Sequence, residues 1–276
     1  VVKLPGGSRF IDSPSLPGCT LSSLHSVCFR TALLAVSFFT AVPALAAQPP
    51  ATTSDTHLVT RKAQVGHRDF RRAKEILPSI YAGMEEDFYC GCPYQGKDMN
   101  LASCGYQIRK QAARAKKLEW EHVVTAWALG HQRQCWQNGG RKACGDDPSF
   151  AKAEGDLVNL VPSVGEVNSD RSNLPFSVWA QRPQTIYGQC ETVVDFKLGA
   201  VQPRPEVRGR IARIYMYMHE TYSLRMSRQD KQLMCAWARS QPVDQWEITR
   251  DRRIVARQGS GNRFVTDPKA VANYCA

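Results

Sequence analysis

The sequence predicts an α+β chain in which helices predominate, and three observations carry that expectation. Residues 207–226 and 227–241 place apolar side chains at helical spacing, as amphipathic helices do. EWEHVV, residues 119–124, is the clearest strand, mixing aromatic and β-branched residues. Eight cysteines between residues 90 and 275 supply staples for irregular stretches.

Composition bounds the rest. With 276 residues, 43% apolar and 22% charged, the chain can bury one sizeable core or two small ones, and its make-up excludes disordered and fibrous classes. Residues 1–46 read as a leader. Arg30 precedes TALLAVSFFTAVPALAA, which is too short to span a bilayer but suits the apolar region of a signal peptide at 31–46, and Ala44-Leu45-Ala46 gives an A-x-A cleavage site. Residues 1–29 precede that signal and open on Val, as expected of a start site assigned too far upstream. Residues 47–66, with Pro49, Pro50 and several Thr, predict a flexible lead-in. Residues 67–276 are expected to form a single domain, monomeric, periplasmic or extracellular, with no stable membrane association after signal cleavage.

Export fits the cysteines. Cys90, Cys92, Cys104, Cys135, Cys144, Cys190, Cys235 and Cys275 remain behind the leader, an even number that predicts disulfides. Cys135 and Cys144 bracket a short Gly-rich turn and make a local pair; the other pairings stay open, as does a zinc site around Cys90-Gly91-Cys92. The leader holds three basic residues and one acidic, so the net charge of +11 leaves +9 on the mature chain. That excess favours acidic partners such as nucleic acid or anionic lipid.

Element by element, residues 68–86 have helical spacing, broken or kinked at Pro78. The Gly and Cys cluster at 90–106 predicts a stapled loop, and 107–124 runs into a strand ending at EWEHVV. Gly130, Gly139, Gly140 and Gly145 make 127–148 read as a long loop, and AKAEGDLVNLVP as a helix limited by Pro162. Tyr215, Met216, Tyr217 and Met218 read as core packing.

The chemistry concentrates at Glu121-His122 and at Asn159, 37 residues after the histidine. Phosphodiester hydrolysis needs an activated water and neutralised charge on the phosphate oxygens. A neutral imidazole at His122 can take the proton. Glu121 and Asn159 are oxygen donors of the kind a hard cation such as Mg²⁺ prefers. A structural histidine and a surface carboxylate remain the alternative, because neighbouring residues on a regular strand face opposite ways; the strand has to end, twist or bulge here. Arg208, Arg210, Arg213, Arg250, Arg252 and Arg253 can line a groove for backbone phosphates, with Arg171 a weaker candidate, so cleavage is expected to be largely indifferent to sequence.

Five segments, EWEHVV, GHQRQCWQNGGRKAC, DLVNLVPSVGEVNSDRSN, RGRIARIYMYM and QWEITRDRRI through Gln258-Gly259, resemble in order the bacterial endonuclease I family of periplasmic or extracellular deoxyribonucleases. The similarity runs from about 68 to 275. It implies a ββα-metal (His-Me finger) core with surrounding helices, and endonuclease cleavage of DNA with a single Mg²⁺, for which Mn²⁺ or Ca²⁺ are substitutes, giving 5′-phosphate ends. By the same resemblance His122 is the general base, Glu121 and Asn159 are the metal ligands, and Arg141 contacts the phosphate. RNA stays open as a second substrate. The chain departs from the family at Thr125, where Pro is usual, at Val158, and in Gln258-Gly259-Ser260-Gly261-Asn262-Arg263-Phe264; these bear on loop geometry and not on a catalytic group. Two other classes fit the same basic, exported chain: a polyanion-binding protein without catalysis, indifferent to chelator, and a disulfide-stapled interaction module.

Overall fold

The structure, a computed structural model, describes residues 69–179, 181 and 184–276. The expected signal peptide, upstream extension and lead-in lie outside those residues. The described chain begins with helix α1 (Phe70–Tyr81), the hairpin β1 (Tyr94–Gln95) and β2 (Asp98–Met99), and α2 (Ala112–Ala115). Its central stretch is β3 (Leu118–His122), α3 (Ala126–Gly130), α4 (Gln134–Cys144), α5 (Pro148–Glu154), β4 (Leu160–Val164) and α6 (Gly165–Arg171). A hairpin of β5 (Val193–Asp195) and β6 (Ala200–Gln202) leads to α7 (Arg208–Thr221), α8 (Arg228–Ser240), α9 (Gln245–Gln258), α10 (Arg263–Thr266) and α11 (Ala270–Tyr274). The strands pair in three antiparallel two-stranded ladders, β1-β2, β3-β4 and β5-β6. The expected helix-dominated α+β class is what forms. No described helix is long and apolar enough to cross a membrane.

Local chemistry sets most boundaries. The Asp69 carboxylate accepts from the Arg72 N–H at 2.7 Å and starts α1. Pro78 does not break that helix, which runs on to Tyr81, because the buried stripe Ala73, Leu77, Ile80, Tyr81 continues across it and packing outweighs one lost hydrogen bond. Asp244 and Glu247 form a reciprocal capping box at the start of α9, and Gly259, at φ 80°, ends it. Helix α7 differs from the amphipathic helix expected: Ile211, Ala212, Arg213, Ile214, Met216, Tyr217 and Met218 are all buried, so it runs through the core.

Two boundaries differ from expectation. Residues 127–148 are not a loop but carry most of α3 and all of α4. The glycine signal marks only a break inside α4, where Gly140 has φ 64° and ψ −154°, a conformation open to glycine; the Cys135–Cys144 disulfide spans that break. Pro162 does not limit a helix. It lies inside β4, opposite Trp120, and its carbonyl accepts from Phe88 N–H at 2.8 Å. A two-stranded ladder is all edge, which is where a strand tolerates proline.

All eight cysteines are paired: Cys90–Cys190, Cys92–Cys104, Cys135–Cys144 and Cys235–Cys275. The expected local pair forms, and no thiolate among them is left for zinc. The Cys90–Cys190 bridge spans 100 residues, a loop whose closure contributes about 4 to 5 kcal/mol in the chain-entropy picture.

Of the six arginines expected to line a groove, Arg252 stays exposed, while the other five turn inward, contrary to that expectation. Arg213 is sealed in the core, its Nε 2.7 Å from Glu247 and its Nη1 donating to the Gln241 carbonyl. Arg250 donates to the Tyr81 hydroxyl and to the carbonyls of Leu157, Val158 and Leu160. Arg210 lies over Trp246 and pairs with Asp244, Arg208 donates to the Pro203 carbonyl over Trp237, and Arg253 donates to the carbonyls of Ile80 and Ala82. These guanidiniums satisfy carbonyls and carboxylates that burial would otherwise leave unpaired.

Candidate active site

Strands β3 and β4 pair from Leu118↔Val164 to His122↔Leu160, and α6 follows β4 directly. Gly165 lets α6 start tight against α2: a Cβ there would stand 2.6 Å from the Arg114 carbonyl oxygen. The resulting strand-strand-helix unit forms one side of a cavity of about 1030 Å³, whose walls include Glu121, His122, Arg141, Asn168 and Arg171.

Glu121 and His122 both reach this cavity because β3 stops at His122 and the chain bends at Val123–Val124. Arg171 holds the bend. Its Nη1 donates to Glu121 Oε1 and to the His122 carbonyl, both at 2.7 Å, and its Nη2 donates to the Val123 carbonyl at 2.6 Å. The guanidinium is 1% exposed and packs over Phe176, so Arg171 is a buried brace and not the nucleic-acid contact expected of it. Burial pushes the Glu121 carboxyl up to about 6, with Arg171 pulling the other way.

His122 is buried, 4.6 Å from the Phe70 ring, with Nε2 2.8 Å from the Glu154 carbonyl oxygen. A carbonyl only accepts, so Nε2 carries the proton and Nδ1 keeps its lone pair. Burial, reinforced by the nearby Arg141 guanidinium, pushes the imidazolium down to about 3, which holds the ring neutral. Glu154 has a second role: its side chain takes Arg141 Nε at 2.5 Å. Arg141 stays about half exposed and reaches the cavity just after the Gly139–Gly140 break. One residue thus fixes the histidine by its backbone and the arginine by its carboxylate.

Asn159 is not in this group. It is fully buried, its Oδ1 accepting from Val124 N–H at 2.7 Å and its Nδ2 donating to the Val124 carbonyl at 2.8 Å. With both ends of the amide hydrogen-bonded and the side chain sealed away from the cavity, it clasps the bend after β3 and is not placed to meet a cation. The amides that do line the cavity are Asn173, beyond the helix, and Asn168 on α6. Asn168 Nδ2 donates to Glu119 Oε2 at 2.8 Å, which leaves Oδ1 as the acceptor. The signal was present in the sequence: Asn168 precedes Arg171 by three positions, so on a helix both share the face turned toward Glu121. Glu154 had no such signal, because its contribution is partly a main-chain oxygen.

The oxygen pair Glu121 and Asn168 suits a hard divalent cation, with the remaining positions left to water and phosphate. Among the described residues no cluster of three or more His, Cys, Asp or Glu side chains is arranged to hold a metal. Basic residues also line the cavity. They are Arg71, Lys74, Lys97 and Arg114, from the first quarter of the described chain and not from the C-terminal helices. Thr125, standing where Pro was expected, caps α3 by accepting from Ala128 N–H at 3.1 Å.

Known proteins resemble this chain in sequence over most of the described residues. The Endonuclease I family profile matches residues 68–269. A protein of Aeromonas hydrophila named periplasmic deoxyribonuclease is 50% identical over 215 residues, 76% of this chain and 89% of the relative. An extracellular deoxyribonuclease of the same organism is 52% identical over 201 residues, covering 71% and 88%. Endonuclease-1 of Buchnera aphidicola subsp. Acyrthosiphon pisum is 41% identical over 203 residues, covering 71% and 80%. With a profile match across most of its length and a strand-strand-helix unit carrying Glu121, His122 and Asn168, the chain belongs to the endonuclease I family.

Proposed function

We propose that the chain is an exported endonuclease that hydrolyses DNA phosphodiesters largely without regard to sequence, using one divalent cation, Mg²⁺ for preference, and His122 as general base. The observation that carries this reading is the 2.8 Å contact of His122 Nε2 with the Glu154 carbonyl oxygen, in the wall of a cavity shared with Glu121, Arg141 and Asn168; it calls for the proton on Nε2 and leaves Nδ1 as a neutral base. Nδ1 takes the proton of the attacking water. Arg141, exposed on the cavity side and steadied by Glu154, grips the phosphate. Glu121 and Asn168 hold the cation, which when bound neutralises charge on the phosphate and on the departing 3′ oxygen. Solvent water protonates the departing oxygen, so the products are 5′-phosphate and 3′-hydroxyl ends. His122 needs no 2′-hydroxyl for this chemistry, so RNA is a further substrate to assay. Export follows the names of the relatives, periplasmic and extracellular, and suits a chain with four disulfides.

Nicking of supercoiled plasmid by oxidised residues 47–276 with Mg²⁺ tests the reading. Cleavage abolished by chelator and restored by Mg²⁺ is expected, falling steeply with salt because the grip is on phosphates. Binding that persists in chelator, with no nicking under any metal, would establish a polyanion-binding protein instead.

The ligand assignment is tested by a pair of variants. Asn168→Ala is expected to lower cleavage by at least about tenfold, since even groups behind a metal ligand are worth about 10- to 100-fold, and to leave the thermal midpoint nearly unchanged. Asn159→Ala is expected to lose stability, about 1 to 3 kcal/mol for the Val124 N–H it orphans. A normal melt with lost cleavage in Asn159→Ala, and full cleavage in Asn168→Ala, would reverse the assignment.

A further inference from the structure

Next to the catalytic cavity lies a smaller one of about 400 Å³, and Thr125, Trp127 and Asn173 belong to the walls of both. We propose that this second cavity is a subsite for one unstacked nucleobase of the strand being cut, with Trp127 as its stacking platform. The proposal rests on the nuclease reading above and adds to it a preference for substrates whose bases can leave the stack near the scissile bond.

Trp127 is an unusual surface residue. Its indole is 44% exposed although its helix neighbour Leu129 is buried. The His131 imidazole lies parallel to it, centroids 3.8 Å apart and planes 7° apart, and His131 Nδ1 donates to the Trp127 carbonyl at 2.8 Å. The pair is therefore ordered before any ligand arrives, which removes much of the entropic cost of stacking on it. Since the imidazole covers one face of the indole, the exposed area lies on the other face and the edge.

The rest of the small cavity suits a base. Tyr215 and His219 stack on its wall at 5.8 Å and 18°, and His219 Nδ1 donates to the Leu224 carbonyl at 3.1 Å. With its Nδ1 protonated, His219 presents Nε2 as an acceptor suited to the N–H edge of a base, while His131 serves to hold the indole. Arg225, also in the wall, supplies positive charge for the backbone that follows. The volume holds a nucleoside-sized group and not a duplex. Stacking on an aromatic is tolerant of sequence, so the subsite adds grip without base specificity.

The experiment uses single-stranded oligonucleotides with one ordinary phosphodiester among phosphorothioate linkages, and an abasic site moved through the two nucleotides on either side. With the parent protein, one abasic position is expected to raise KM by about 5- to 100-fold, the range of base–aromatic stacking. Trp127→Ala is expected to show a similar rise on the intact oligonucleotide and no further rise at that position, while Trp127→Phe stays close to the parent. Parental KM in Trp127→Ala, or losses that multiply at every abasic position, would overturn the subsite. If the parent cuts no DNA, the nuclease reading fails separately, and the same abasic series read by fluorescence anisotropy still decides whether Trp127 receives a base.

Discussion

Replacing His122 with alanine is expected to reduce plasmid cleavage by about 100- to 10,000-fold, the usual worth of a positioned general base, with the fold retained. The magnitude follows from how completely the ring is committed. Nε2 is tied to the Glu154 carbonyl and the imidazole is held neutral by burial beside Arg141, so the lone pair on Nδ1 is fixed in direction and ready to accept a proton. The structural cost is the Glu154 carbonyl left unpaired in a buried setting, about 1 to 3 kcal/mol, visible as a lowered melting midpoint and not as unfolding. Both proteins should be assayed from the same preparation. Equal cleavage by parent and variant would remove His122 from the mechanism.

The second large effect is on stability. Arg171→Met is expected to cost about 3 to 5 kcal/mol in denaturant unfolding, because it strands the Glu121 carboxylate in the interior without its partner. Cleavage is expected to fall as well, although Arg171 touches no substrate, since the carbonyls of His122 and Val123 lose the donor that holds the bend at the end of β3. Adding Glu121→Gln should recover part of the stability, by removing the uncompensated charge, and none of the activity. A variant of parental stability whose cleavage loss is cured by low salt would instead make Arg171 a phosphate contact.

The division between what could and could not be read from the chain has a physical basis. Helix α8 and strand β3 follow from local pattern, and the Cys135–Cys144 pair from local spacing. Glu121, His122 and Arg141 were identifiable by residue type and family motif, and the structure does bring them to one cavity. Burial was harder to foresee. Arg210, Arg213 and Arg250 look like solvated charge in sequence, yet their partners Asp244, Glu247, Tyr81 and the carbonyls around residue 158 lie far away along the chain. Asn159 and Asn168 have the same chemistry, and only the pairing of β3 with β4 decides that the first is clasped to Val124 while the second faces the cavity. Proline and glycine misled at Pro162 and at 127–148 because a two-stranded ladder and a disulfide tolerate what an isolated segment would not.

Glu154 joins His122 and Arg141 by different kinds of bond, and this makes their two proposed roles separately mutable. The oxygen that fixes the histidine is main chain and survives any substitution at that position, whereas the oxygen that steadies Arg141 belongs to the side chain. Variation at residue 154 can therefore retune how firmly the phosphate is grasped while the proton acceptor stays as it is. A family of such enzymes has a route to diversify substrate affinity without putting the chemical step at risk.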